Sequence, residues 1–102
     1  MASQRIDITW DPIKARKNES NHHVTFDEAT EVLLDPMALT VFDAAHSTEE
    51  ERWFTLGETT GSRFLAVSHT YLCECGESVS VRIISAREAT RNERQQYQNE
   101  PR

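Results

Sequence analysis

Glycine, proline and cysteine are all scarce in this chain of 102 residues, with three, three and two copies. No linker, internal repeat or low-complexity segment interrupts it, so it reads as one domain with a single modest core. No apolar run approaches the roughly 20 residues of a membrane-spanning helix, and the first residues lack a signal-peptide apolar stretch. A soluble, cytoplasmic protein without membrane contact is expected. The two cysteines, Cys73 and Cys75, are separated by one residue. A disulfide across so short a loop would be strained, and a zinc site would have to recruit distant histidines. Free thiols in a strand connection are therefore expected, with no metal and no cofactor.

Basic residues are missing from one long stretch. The chain carries a net charge of −6, which argues against a protein that clings non-specifically to nucleic acid. Thr25 to Glu51 holds Asp27, Glu28, Glu31, Asp35, Asp43, Glu49, Glu50 and Glu51 with no Lys or Arg, while the remainder is slightly basic. Two surfaces are expected from this division, an acidic one suited to a basic protein and another suited to phosphate.

What is present is periodic. Arg5 to Trp10 alternates Ile6, Ile8 and Trp10 with polar residues and reads as a half-buried strand. Asp11-Pro12 starts a helix to about Asn21, with Asp as N-cap and Pro at the first helical position. That helix is polar nearly all round, and Lys14 and Asn18 share a face read as solvated. Thr25-Phe26-Asp27-Glu28 is a capping box, followed by an apolar stripe of Phe26, Ala29, Val32 and Leu33 that stops at Asp35-Pro36. Strands are predicted at Leu39 to Phe42, Trp53 to Thr59 and Arg63 to Leu72, the last two joined by a hairpin at Thr60-Gly61-Ser62. His69 shares a strand face with Leu65, Val67 and Tyr71 and reads as a satisfied core histidine, whereas His23 and His46 read as loop residues. Frayed ends are expected at Met1 to Gln4 and Asn99 to Arg102, leaving a core from about Arg5 to Gln98. Short connections between consecutive strands imply antiparallel pairing. The expected architecture is an α+β domain: an antiparallel sheet of about four to five strands packed with two N-terminal helices and one C-terminal helix.

The stretch from Val79 to Tyr97 carries the most chemistry. Val79, Val81 and Ile83 form a strand, and Ser85-Ala86-Arg87-Glu88 reads as a second capping box opening a helix. Arg82 would project from the strand, and Arg87, Arg91 and Arg94 would share one side of the helix. Guanidinium forks held on such a corner suit phosphate oxygens, although the same arginines could pair with Glu88, Glu93 and other carboxylates as a solvated face.

Trp10-Asp11-Pro12, Lys14, Asn18 and His22, then Val24-Thr25-Phe26-Asp27-Glu28-Ala29, Asp35-Pro36, Glu51-Arg52, Leu56-Gly57 and Arg82-Ile83-Ile84-Ser85-Ala86-Arg87, with Glu93 and Tyr97, follow in an order that resembles the BrnT-type toxins of bacterial type II toxin–antitoxin systems. The resemblance covers nearly the whole chain, and the RIISAR segment is its most specific part. It implies a fold like that of the RelE-type ribonucleases, RNA cleavage that shuts down translation, and neutralisation by a BrnA-type antitoxin with a ribbon-helix-helix DNA-binding domain. Toxin and antitoxin would form a hetero-oligomer that represses its own operon and meets operator DNA only through the antitoxin. Where the family usually reads Lys or Arg, His, Gly before the second helix, this chain has Asn21-His22-His23.

Cleavage by attack of a ribose 2′-hydroxyl needs a proton acceptor, cations around the phosphorane and a proton donor for the leaving oxygen. Arg82 and Arg87, converging on the corner, are the candidate cations, Lys14 is a third, and Arg52 beside Glu51 is a further candidate site residue. Glu51, His22 and Tyr97 are candidate proton-transfer groups, and the residues leave the choice of base open. Tyr97 also reads as a packing residue with its hydroxyl at a rim, and Glu51 and Arg52 as an exposed ion pair. A second function remains beside the nuclease: a toxin-like scaffold that binds its antitoxin and acts as co-repressor, to which the net negative charge points.

Overall fold

The computed structural model describes residues 5–48, 50–70, 72–73 and 78–100. Strand β1, Arg5–Trp10, leads into helix α1, Pro12–His22, where the Asp11 carboxylate accepts the Ile13 N–H at 2.8 Å and Pro12 occupies a position whose N–H would have no helical acceptor. Helix α2, Phe26–Leu33, opens on the expected capping box: Thr25 Oγ1 accepts the Glu28 N–H at 3.1 Å and Glu28 Oε1 accepts the Thr25 N–H at 3.0 Å. Strand β2, Leu39–Phe42, a 3-10 turn at Ala44–His46, β3, Arg52–Glu58, and β4, Phe64–Thr70, follow. The two-residue strand β5, Leu72–Cys73, the long strand β6, Ser78–Glu88, and helix α3, Arg91–Asn99, complete the chain. The thiol expectation at Cys73 and Cys75, and those at Met1 to Gln4 and Tyr71, lie outside what the structure describes; Asn99 closes α3.

The sheet runs β1-β6-β4-β3-β2, with β5 paired to β6 beside this path. It is mixed rather than antiparallel, because β1 pairs with β6 in parallel, from Arg5↔Ser78 to Trp10↔Ile83. The hairpin rule holds for the strands joined by short connections. It says nothing of β1, which forms the sheet's other edge and pairs with β6 from the far end of the sequence. Helices α1 and α2 cover one face, where Val24, Phe26, Ala29 and Val32 meet Leu65, Val67, Ile83 and Ala86, all at most 2% exposed. Trp10 and Phe26 meet edge to face at 6.0 Å in that core. His69 is buried there as expected, with Nδ1 2.9 Å from the Thr70 carbonyl and Nε2 2.7 Å from Thr55 Oγ1. The carbonyl can only accept, so the proton sits on Nδ1 and the Thr55 hydroxyl donates to Nε2.

The other face is covered only in part. Tyr97 brings α3 onto Leu56 and Ala66, with Leu39, Phe54 and Phe64 alongside. Asp35 ties this cap to α2 and β3: its Oδ2 accepts from Tyr97 Oη at 2.7 Å and from the Glu58 N–H at 2.9 Å. Gly57 makes this approach feasible, since a Cβ there would lie 2.9 Å from Val32 Cγ1 and 3.2 Å from Asp35 Oδ2.

The corner at Ser85 is not a helix start. Strand β6 continues through Ser85, Ala86, Arg87 and Glu88, paired with β4, and the helix opens five residues later on a competing box in which Thr90 and Glu93 exchange bonds. Between the pairs His69↔Ile83 and Ser68↔Ser85 the register shifts, leaving Ile84 as the extra residue of a β-bulge. The bulge changes the side-chain parity, so that Ile83 and Ala86, three apart, both enter the covered core. Asn18 holds the far end of the bulge. β1 has already left β6 at Ile83, and the Asn18 side chain takes the missing strand's place: Nδ2 donates to the Ala86 carbonyl at 2.8 Å and Oδ1 accepts the Ala86 N–H at 2.9 Å. A further Nδ2 bond reaches the Val24 carbonyl at 2.9 Å. Asn18 is thus 5% exposed, against the expectation of a solvated helix side.

Candidate active site

Beyond the edge of α3 the uncovered face opens into two adjoining cavities. The first, about 530 Å³, is lined by Ala45, His46, Thr48, Glu50, Arg52 and Arg82. The second, about 500 Å³, is lined by residues that include Asp43, His46, Arg52, Phe54, Ser68, Ser85 and Arg87. His46 and Arg52 belong to both, and together the two make one cleft of a size to hold nucleotides. In a regular strand Arg82 and Arg87, five apart, would point to opposite faces. The bulge at Ile84 is what puts both into the cleft.

The loop between β2 and β3 supplies the opposite wall. Asp43 and Arg52 continue the ladder, with the Asp43 N–H donating to the Arg52 carbonyl at 2.9 Å. Ser47 closes the loop: its hydroxyl donates to the Asp43 carbonyl at 2.6 Å and accepts the Arg52 N–H at 2.9 Å. The 3-10 turn inside this clasp presents His46, whose Nδ1 lies 2.9 Å from Asp43 Oδ2.

Carboxylates pair with all three guanidinium groups, two of them through hydrogen bonds. Glu50 Oε1 accepts from Arg82 Nη2 at 2.7 Å and lies 3.9 Å from Arg52 Nη2. Glu93 receives Arg87 in a bidentate pair at 2.7 and 2.9 Å. This pair holds the Glu93 carboxyl below its usual range and makes Arg87 harder still to deprotonate, in each case mainly through the mutual hydrogen bonds. Arg82 and Arg87 remain exposed. An anion entering the cleft would meet guanidinium edges already oriented by their carboxylate partners.

Of the residues singled out from the sequence, Arg52, Arg82 and Arg87 come together here. Glu51 is exposed in the loop but lines neither cavity; its neighbour Glu50 does. Lys14 and His22 are exposed on α1, the helix that packs against the opposite face. Tyr97 is buried beneath α3 with its hydroxyl bound to Asp35. Asp43, His46, Ser68 and Ser85 line the cleft and were not singled out as site residues. The spacing Asp-x-x-His in a loop just before an arginine strand was the available signal for the first two. Much of the long acid run is engaged within the chain: Glu28 pairs with Arg63 at 2.7 Å, Glu31 accepts from Thr60, and Asp35, Asp43 and Glu50 are held as described.

A partly covered mixed sheet with three arginines and a His–Asp pair at an open cleft makes this a small α+β protein with a strongly charged face. Its fold is similar to that of the Brucella abortus ribonuclease toxin BrnT, known from a crystal structure, with a TM-score of 0.60 and 24% identity over 84% of this chain and 99% of that one. Residues 10–93 match the model of the family described as the ribonuclease toxin, BrnT, of type II toxin–antitoxin systems, and the chain belongs to that family. No curated protein sequence shows a significant match.

Proposed function

We propose that this protein is an endoribonuclease toxin that cleaves RNA at the arginine cleft and so inhibits translation. The observation that carries the reading is the convergence of Arg52, Arg82 and Arg87 on one open face, made possible by the bulge in β6. Three guanidinium groups stabilise the charge that grows on a phosphorane, and Phe54 in the floor offers a ring on which a base can stack. No step in this reading uses a metal ion, and none uses Lys14, His22, Glu51 or Tyr97. The RelE-like character of the fold belongs to the same reading. So does the partner, a BrnA-type ribbon-helix-helix antitoxin that holds the toxin in a cytoplasmic hetero-oligomer and carries it to operator DNA.

Inducing the protein alone in bacteria tests this directly. Growth arrest and RNA cleavage are expected, with Arg82→Ala and Arg87→Ala each lowering cleavage about 100-fold or more. Normal growth and intact RNA at confirmed expression would overturn the nuclease. That outcome would favour the second reading, a scaffold that binds its antitoxin without catalysis, for which the net charge of −6 and the carboxylates already seated on Arg82 and Arg87 speak.

A further inference from the structure

We infer that His46, oriented by Asp43, is the base that takes the proton from the attacking ribose 2′-hydroxyl. The inference rests on the ribonuclease reading and deepens it. Asp43 Oδ2, 2.9 Å from His46 Nδ1, can only accept when ionised, so the ring carries its proton on Nδ1 and leaves Nε2 bare. This is the tautomer a general base needs, and a carboxylate behind the ring also stabilises the imidazolium that forms. The clasp of Ser47 on Asp43 and Arg52 fixes the turn carrying both residues to the end of β3.

The position fits the task. His46 lines both cavities, so it stands where they join, between Arg82 on one side and Arg87 on the other, with Arg52 common to both. A phosphodiester spanning the join would have its phosphate among the guanidinium groups and the ribose of the preceding nucleotide beside the imidazole. The charged groups that line the cavities with His46 are Glu50, Arg52 and Arg82 in the first and Arg52 and Arg87 in the second, with Asp43 behind the ring. Asp43 is the more enclosed member of the pair, with 19% of its side chain exposed against 69% for His46, as befits a positioning residue behind a group that meets substrate.

The step balances without a metal or a redox partner. Nε2 takes the 2′-hydroxyl proton, the 2′-oxygen forms a bond to phosphorus, and the bond from phosphorus to the 5′-oxygen breaks. The products are a 2′,3′-cyclic phosphate and a 5′-hydroxyl. The departing 5′-oxygen takes its proton from water at the open mouth, and the imidazolium returns its own to the hydroxide so formed.

The test uses the purified full chain, a single-stranded RNA oligonucleotide and its 2′-deoxy analogue, which binds but cannot cleave. His46→Gln should lower cleavage of the RNA about 100-fold or more while binding the 2′-deoxy analogue within about threefold of the native protein. Asp43→Ala should lower kcat about tenfold or more with KM little changed, and Asp43→Glu should restore part of the rate, because a carboxylate again stands behind the imidazole. A merely structural Asp43 would show its loss in the folded fraction, with kcat per folded molecule the same in both variants. Native cleavage by folded His46→Gln, alongside loss in Arg82→Ala, would overturn the role of His46 and spare the nuclease reading. An RNA left intact by the native protein would overturn both.

Discussion

The two faces of the sheet are built on opposite plans. The face under α1 and α2 is filled with side chains almost wholly removed from water, and its one buried ionisable group, among the described residues, is a histidine bonded at both ring nitrogens. The other face has an apolar patch beneath α3 and then stops, leaving arginines, carboxylates and a histidine at a solvent-filled cleft. Burial makes the first face stable and chemically silent. The second keeps guanidinium groups and an imidazole available and takes little stability from them, because exposed ion pairs are worth little. The two plans meet at Asn18 and Ala86, where an amide anchored in the covered layer sets the strand that aims Arg87 into the cleft.

The largest effect should come from breaking that junction. Asn18→Ala leaves the Ala86 N–H and carbonyl and the Val24 carbonyl without this partner in a buried position. A loss of about 3 kcal/mol in urea unfolding is expected. Cleavage should fall further than the folded fraction does, since the bulge that aims Arg87 would lose its anchor. Cleavage that falls only in step with unfolding would show that the strand holds its register unaided and that the faces are independent.

Protons divide the faces more gently. Burial lowers the pKa of His69, outweighing the Thr70 carbonyl bond that raises it. Below about pH 6.5 the unfolded histidine binds a proton that the folded one resists, so the unfolded state holds more protons and stability falls on acidification. Glu28 is held low mainly by the Thr25 N–H, and Glu93 mainly by Arg87. Their contributions are present above about pH 4.5 and are lost as pH falls through their lowered folded values. Stability should therefore decline in two windows, a first that opens below about pH 6.5 and a second that opens below about pH 4.5. His69→Gln should flatten the first window in urea titrations and leave the second; an unchanged first slope would assign it to another group.

Much of the covered face was legible and little of the cleft was. The α2 capping box could be read because an apolar stripe at helical spacing follows Thr25 to Glu28 at once. Ser85 to Glu88 has the same pattern, but an equivalent pattern five residues on, Thr90 to Glu93, competes with it, and pairing with β4 decided between them. The bulge at Ile84 depends on the register of a partner strand, which local spacing does not contain. Asn18 looked solvated because its partner lies 68 residues away. Arg52, Arg82 and Arg87 were found by family likeness and residue type, while the join between them, His46, sits in a loop without periodicity to mark it.

His23 offers the smallest and cleanest separation of the two plans. It ends α1 in the left-handed conformation, at φ 57, where a side chain costs about 1 kcal/mol. His23→Gly relieves that cost, partly offset by the greater freedom of glycine in the unfolded chain, for an expected gain of about 0.5 kcal/mol. The peptide carbonyl that accepts from Arg63 at 3.3 Å is retained, and the imidazole removed is exposed and lines neither cavity. Unfolding should shift to slightly higher urea, and cleavage per folded molecule should stay the same. A changed cleavage rate would mean that the end of α1 reaches the chemistry, and the division between a silent face and a reactive one would have to be redrawn there.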